Sequence, residues 1–252
     1  IKKRFMFLNC FLSLGWITLG SLLFSYVDAL EALSPLRFSI FLDALKESIS
    51  KELPGPQFQN EMSPISNNER YRIPLPNHKT ACVCTLIHPK NDTLYTTYIK
   101  RASIHPKDKH AGQIGFPGGK LEEDDDSLAM CALRETEEEI GINKSSLEII
   151  GSLTPLYVYA SNFMVYPFVA FSNEINDYIL QESEVAGYYE VPLTHLIDPK
   201  SKAKKKLQLA SGLELEAPGY IIEDQFLWGA TAMITSELEE IIKRTLSTSK
   251  SH

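Results

Sequence analysis

The stretch that most restricts what this chain can fold into is Arg134-Glu135-Thr136-Glu137-Glu138-Glu139-Ile140-Gly141. Glu135, Glu138 and Glu139 stand at i, i+3 and i+4, so a helix sets all three on one face. Ala129, Ala132, Leu133, Thr136 and Ile140 fall on the other side, which suits packing against a sheet. The pattern predicts a helix over 127–140, with Gly141 as its C-cap. Carboxylates stacked on one face repel unless a cation joins them, and such a set is suited to Mg²⁺ or Mn²⁺. The plain alternative is a solvated acidic face. Arg134 can pin one of the carboxylates through a bidentate pair. Just upstream, Phe116-Pro117-Gly118-Gly119 leads into an acidic turn at 122–126. Glycines let a backbone approach a ligand closely and present its N–H groups.

The surrounding sequence reads as one mixed α/β unit. Leu36, Ile40, Phe41, Ala44, Leu45 and Ile49 recur at helical spacing and predict a helix over 36–50, closed by Pro54, Gly55 and Pro56. A Pro- and Asn-rich linker runs to Lys79. Strands are expected at 80–88, 93–100, 147–153, 163–170 and 185–191, with a Gly-rich loop over 112–119. Residues 200–206, which hold Lys200, Lys202, Lys204, Lys205 and Lys206, read as a solvated basic loop. A last amphipathic helix is expected over 228–246, with Leu227, Thr231, Ile234, Leu238, Ile241 and Leu246 on one side and Trp228 in the core. The organisation is a hydrophobic N-terminal segment over 1–30, a helix and linker over 31–79, a main α/β domain over 80–247 and a tail over 248–252.

The chain has 252 residues and a net charge of −7. That balance argues against a nucleic-acid binder, which needs a basic face for phosphates, but leaves room for a small anionic substrate held by a few local cations. Cys10, Cys82, Cys84 and Cys131 lack zinc spacing. Cys82 and Cys84, two apart on a strand, point the same way and read as small core residues. Lys2, Lys3 and Arg4 precede an uncharged run over 5–27. An anchor, a signal peptide and a start lying further in are all open readings of it.

Residues 118–142 resemble the Nudix hydrolase pattern G-x5-E-x7-R-E-U-x-E-E-x-G-U, where U is bulky and apolar. The half from Arg134 to Ile142 is matched except that Thr136 replaces the first U. Fourteen residues, not thirteen, separate Gly119 from Arg134, and Asp126 stands where the first Glu would be. The longer spacing resembles one branch, the coenzyme A pyrophosphatases. That branch carries an upstream motif, roughly L-L-T-x-R-[SA]-x3-R-x3-G-x3-F-P-G-G. Arg101-Ala102 and the run from Gly112 to Gly119 are similar to it. Here the stretch between Arg101 and Gly112 is two residues longer and has no second arginine; Lys107 and Lys109 are the nearby cations, and His105 and His110 flank it. Leu53-Pro54-Gly55, Met62-Ser63-Pro64, Leu153-Thr154-Pro155, Ser161-Asn162-Phe163 and Trp228-Gly229-Ala230 also resemble bacterial members of this branch.

The resemblance implies an α/β fold, a Nudix-type α/β/α sandwich with a mixed sheet. It implies metal ligation by Glu135, Glu138 and Glu139, and catalytic roles for these three with Arg134 and a distal carboxylate, Glu184. It also implies substrate binding by Lys100, Arg101, Gly118 and Gly119, with Asn162 and Phe163 shaping the pocket wall. The cofactor would be Mg²⁺ or Mn²⁺, and the substrate coenzyme A or a derivative, cut to 3′,5′-ADP and 4′-phosphopantetheine. A Nudix hydrolase of another nucleoside diphosphate derivative, ADP-ribose or an oxidised dNTP, is the alternative. A non-catalytic Nudix-fold binding module would be expected to lack one of the glutamates. A small nucleotide is thus the expected partner, a homodimer is left open, and membrane contact depends on the N-terminal run alone. The catalytic domain is expected in the cytoplasm, where coenzyme A is found.

Overall fold

The computed structural model describes residues 35–65, 73–102, 112–175, 177–208, 212 and 214–248. The N-terminal run, Cys10, Lys107, Lys109, His105 and His110 lie outside them. At the centre is β1 (Lys79–Lys90), whose Cys84, Thr85, Leu86, Ile87 and His88 are all buried, as befits a strand covered on both faces. It runs parallel to β7 (Phe163–Phe171) from Lys79 to Ile87. β2 (Thr93–Arg101) pairs antiparallel with β1 only where Leu86–Lys90 face Thr93–Thr97. Further on the two strands part, and the Gly-rich segment fills the split. β3 (Ile114–Gly115) adds to β2 at Ile99 and Lys100, and β4 (Gly118–Lys120) adds to β1 at Ala81, Cys82 and Val83. The Cys84 N–H donates to the Pro117 carbonyl at 2.8 Å and closes the seam. The predicted loop is therefore two short strands, because the parted edges of β1 and β2 leave backbone groups that a passing chain can satisfy. β8 (Val185–Pro192) flanks β2, while β5 (Glu148–Ser152) and β6 (Leu156–Val158) flank β7.

Helices cover both faces of this mixed sheet. On one side α3 (Leu128–Ile140) packs Cys131, Ala132 and Ile140 against Cys82, Cys84, Leu86 and Ile99. On the other, α1 (Pro35–Ser50) and α5 (Gly229–Thr248) bury Phe41, Leu45, Leu238 and Ile242 against Tyr98 and Val169. The predicted mixed α/β sandwich is the fold observed. No helix among the described residues is long and apolar enough to cross a membrane.

Several local expectations change. The linker after Pro54 contains α2 (Pro56–Glu61), which starts on proline and follows Gly55 at φ 74°. Proline suits a first helical turn, where its missing N–H costs nothing. The basic segment after Lys200 is no loop. After α4 (Leu193–Ile197) and a single 3₁₀ turn, residues Lys202–Gln208 form β9, the edge of a three-stranded sheet with β10 (Glu214–Ile222) and β11 (Gln225–Trp228). Lysines on an edge strand discourage pairing with another chain. Trp228 ends β11 half-buried rather than in the core.

Candidate functional site

The carboxylate helix begins on Ser127, whose Oγ accepts from the Met130 N–H at 3.2 Å. It ends on Gly141 at φ 73°, whose N–H donates to the Glu137 carbonyl at 2.9 Å. Its buried stripe includes Thr136, and the Thr136 hydroxyl donates to the Ala132 carbonyl at 2.7 Å, so no polar atom is stranded there. Docking that stripe on β1 turns the glutamates toward β4. A cavity of about 390 Å³ lies between them. Glu135, Glu138, Glu139 and Arg134 line it from the helix, Gly118 and Gly119 from β4, Arg101 from the end of β2, and Glu184 from the segment before β8. The structure thus brings together the site residues named from sequence except Lys100, Asn162 and Phe163. Lys100 occupies the neighbouring ladder position, where β2 and β8 shift register, and does not line the cavity. Lys120, Glu122 and Gln181 do line it and were not singled out. Lys120 had a signal, since it directly follows the Gly-Gly pair.

Glu139 is 2% exposed. Its Oε2 accepts from the Gly118 N–H at 2.8 Å, and Arg101 Nη1 stands 3.8 Å from Oε1. Burial pushes its carboxyl up to about 8, with the negative charges of Glu135 and Glu184 adding to the rise and the Gly118 N–H and Arg101 opposing it. Glu135 is also raised, again chiefly by burial. Gly118 adopts φ 152°, and a Cβ there would come within 2.6 Å of the Val83 Cα. A Cβ on Gly119 would run into the Glu135 carboxylate. Gly118 therefore lets β4 lie close against β1, and Gly119 lets it lie against the acidic helix.

Arg134 is spent differently from the sequence expectation. Its Nη1 donates to Glu135 at 3.0 Å and to Glu138 at 2.9 Å. Its bidentate partner is not a helix carboxylate but Asp125, with Nε to Oδ1 at 2.9 Å and Nη2 to Oδ2 at 3.0 Å. That grip holds the Asp125 carboxyl down at about 2. Asp126, which the sequence pattern puts at the first Glu position, is exposed. The spacing Gly119-x5-Asp125 is the ordinary one, and the extra residue falls between Asp125 and Arg134 rather than directly after Gly-Gly.

Among the described residues, no three His, Cys, Asp or Glu side chains stand ready-made as a metal cage. The cause is visible: Arg134 draws off Glu135 and Glu138, and Gly118 holds Glu139. The donor chemistry nonetheless fits a hard divalent cation. Five glutamates line one cavity, and two of them, Glu135 and Glu139, are desolvated enough to resist carrying their charge alone. Asn162 and Phe163 do not line the cavity. Asn162 sits at φ 56° in the turn before β7, accepting from the Tyr157 hydroxyl at 2.8 Å and donating to the Asn77 carbonyl at 3.2 Å. The described cysteines, Cys82, Cys84 and Cys131, are free and buried. Burial pushes the Cys84 thiol up to about 12, which suits a core residue and not a nucleophile.

A Gly-Gly strand fills the split in the sheet, and a glutamate-rich helix lies across it. The NUDIX domain family matches residues 76–210, and the chain belongs to the Nudix hydrolases. An uncharacterized Nudix hydrolase NudL of Yersinia enterocolitica is 35% identical over 171 residues, 65% of this chain and 81% of the relative. The Yersinia pestis protein of the same description is 34% identical over 171 residues, covering 65% and 79%. Among solved structures, a MutT/nudix family protein from Enterococcus faecalis is similar at TM-score 0.45, with 16% identity and 76% of each chain covered. The NUDIX domain of Shewanella oneidensis NrtR, solved with ADP ribose, is similar at TM-score 0.39, with 19% identity over 47% of this chain and 75% of that one. Nudix hydrolases generally use divalent metal ions, and the chain is an enzyme of that family.

Proposed function

We propose that this protein hydrolyses the diphosphate bond of coenzyme A or its derivatives, giving 3′,5′-ADP and 4′-phosphopantetheine. The observation that carries the reading is the cavity itself, which five glutamates and the Gly118–Gly119 backbone line together with a cationic rim made by Arg101 and Lys120. Glu135, Glu138 and Glu139 are the proposed ligands of Mg²⁺ or Mn²⁺. Bound there, the cation would offset diphosphate charge and lower the pKa of water. Glu139 is fixed in place by the Gly118 N–H. Arg134 orients Glu135 and Glu138 from its anchor on Asp125. Glu135 and Glu184 are the two candidates to take the proton of the attacking water. Arg101 and Lys120 would hold substrate phosphate oxygens, Arg101 through a charged bond that its contact with Glu139 orients.

The coenzyme A assignment draws on the G-x3-F-P-G-G run, which supplies both strands that fill the split in the sheet. The departures between Arg101 and Gly112 favour the second reading, another nucleoside diphosphate derivative such as ADP-ribose or an oxidised dNTP. The test is kcat/KM with Mg²⁺ or Mn²⁺ on coenzyme A, dephospho-coenzyme A, ADP-ribose and an oxidised dNTP. Coenzyme A is expected to lead dephospho-coenzyme A by about tenfold or more, the worth of one charged hydrogen bond to the 3′-phosphate. Arg101→Ala is expected to narrow that gap. Equal rates on the two, or a lead for ADP-ribose, would favour the second reading.

A further inference from the structure

Glu184 reaches the cavity on residues 177–184, the part of the β7–β8 connection that leads into β8. This segment is tied down at both ends. Where it crosses the carboxylate helix, the Ile179 N–H donates to the Ile140 carbonyl and the Gln181 N–H to the Glu139 carbonyl, each at 3.0 Å. These are last-turn carbonyls, which have no partner within a helix. The crossing is close: a Cβ on Gly141 would sit 2.6 Å from the Ile179 Cβ. Beyond it, the Glu184 N–H donates to the Gln181 carbonyl at 2.8 Å. The Glu184 carbonyl accepts from the Ala102 N–H at 2.7 Å, beside Arg101.

The other tie is Tyr178. Its hydroxyl is 2.8 Å from Thr97 Oγ1, 3.3 Å from His88 Nε2 and 3.4 Å from Glu190 Oε1. Its ring stacks on Tyr188 with centroids 4.0 Å apart. The partners come from β1, β2 and β8, so one hydroxyl pins the segment to three strands. This cluster takes no part in the proposed reaction.

We propose that Tyr178 is a positioning residue for the metal site. Its hydroxyl sets where 177–184 crosses the helix, and through that crossing it places Glu184 in the cavity beside Glu139 and Glu135, where its charge would add to the hold of the three ligands on the cation. The inference rests on the metal-dependent reading above. A tyrosine kept only for packing would need its ring and not its hydroxyl, so Tyr178→Phe separates the two roles. Thr97→Val removes the nearest hydroxyl partner from the other side. Supporting partners of metal ligands, when removed, commonly weaken metal binding by about tenfold or more.

The experiment is Mn²⁺ binding to the full chain, followed by the electron paramagnetic resonance of free Mn²⁺. The proteins are wild type, Tyr178→Phe, Thr97→Val, Glu184→Gln and the Tyr178→Phe/Glu184→Gln double variant. Tyr178→Phe and Thr97→Val are each expected to weaken Mn²⁺ binding by about tenfold. The double variant is expected to bind like Glu184→Gln alone, because a residue acting through Glu184 has nothing left to act on. Wild-type affinity in Tyr178→Phe, or full additivity in the double variant, would overturn the inference and leave the metal reading standing. A wild type that binds no Mn²⁺, or one whose affinity is untouched by Glu139→Gln, would overturn both.

Discussion

Asp125 shows how much one residue decides here. Its carboxylate is nearly covered, and both oxygens are engaged by Arg134, which in turn steadies Glu135 and Glu138. Asp125→Asn would break a charge-assisted bidentate pair, worth roughly 1.5–3 kcal/mol. In a chain of this size that is about 3–10 °C of melting temperature. Turnover is expected to fall with it, as Arg134 is released toward the glutamates it now orients. Asp126→Asn is the matched control, and its effect is expected to stay within about 0.5 kcal/mol. Thermal melts and kcat on the two variants decide the matter. A larger loss in Asp126→Asn would return the role to the residue that sequence alone suggests.

At the scale of elements, the parts that show in sequence are those whose partners are local. The α3 helix is readable because its apolar stripe, its glutamate triplet and its Gly141 stop lie within one short segment. Glu184 and Arg101 are visible only through resemblance, since their place at the cavity depends on the pairing of β2 with β8. Asp125 is misassigned by one position because an extra residue shifts the pattern, and geometry rather than spacing shows where it falls. The lysines of β9 look like a solvated loop because an edge strand with an open flank has little need of apolar alternation. The Tyr178 cluster is assembled from four distant stretches and leaves no local trace.

Long-range assembly also explains the Leu53-Pro54-Gly55 and Thr154-Pro155 segments. Both converge on Glu237 of α5, which is fully buried. Its carboxylate accepts from the Gly55 N–H at 3.1 Å, Gln59 Nε2 at 2.9 Å, the Thr154 N–H at 3.2 Å and the Thr154 hydroxyl at 2.5 Å. Four donors thereby fasten α2 and the turn before β6 to the last helix. Glu237→Ala would strand several buried donors at about 1–3 kcal/mol each. A loss of more than about 3 kcal/mol in denaturant unfolding is expected, with Glu237→Gln losing less because it keeps an acceptor. An alanine variant as stable as wild type would show that water can take over the clamp.

For the molecule as a whole, His88 sets a pH dependence of stability. It is 1% exposed, beside Glu190 at 3.5 Å, with Thr97 and Tyr178 at hydrogen-bond distance, Tyr95 stacked on its ring and Lys90 beyond Glu190. Burial outweighs Glu190 and lowers its pKa from the ordinary 6.5. A depressed folded pKa contributes stability that is present above about 6.5 and lost as pH falls through the folded value. Glu135 and Glu139, both raised in the folded protein, act in the opposite sense as pH falls, so the His88 contribution is read as a difference. Below about pH 6.5 wild type is expected to lose stability relative to His88→Gln, in melts recorded with EDTA. Equal slopes would assign the acid sensitivity to other groups.

The central proposal is that the site on the glutamate helix cleaves the diphosphate of coenzyme A. The most direct measurement incubates wild type, Glu135→Gln and Glu139→Gln with coenzyme A and Mn²⁺ and identifies the products. Wild type is expected to release 3′,5′-ADP and 4′-phosphopantetheine in equal amounts. Each variant, folded by its melting curve, is expected to be slower by about a hundredfold or more. Coenzyme A left intact by wild type, or turnover undiminished in a folded Glu139→Gln protein, would contradict it.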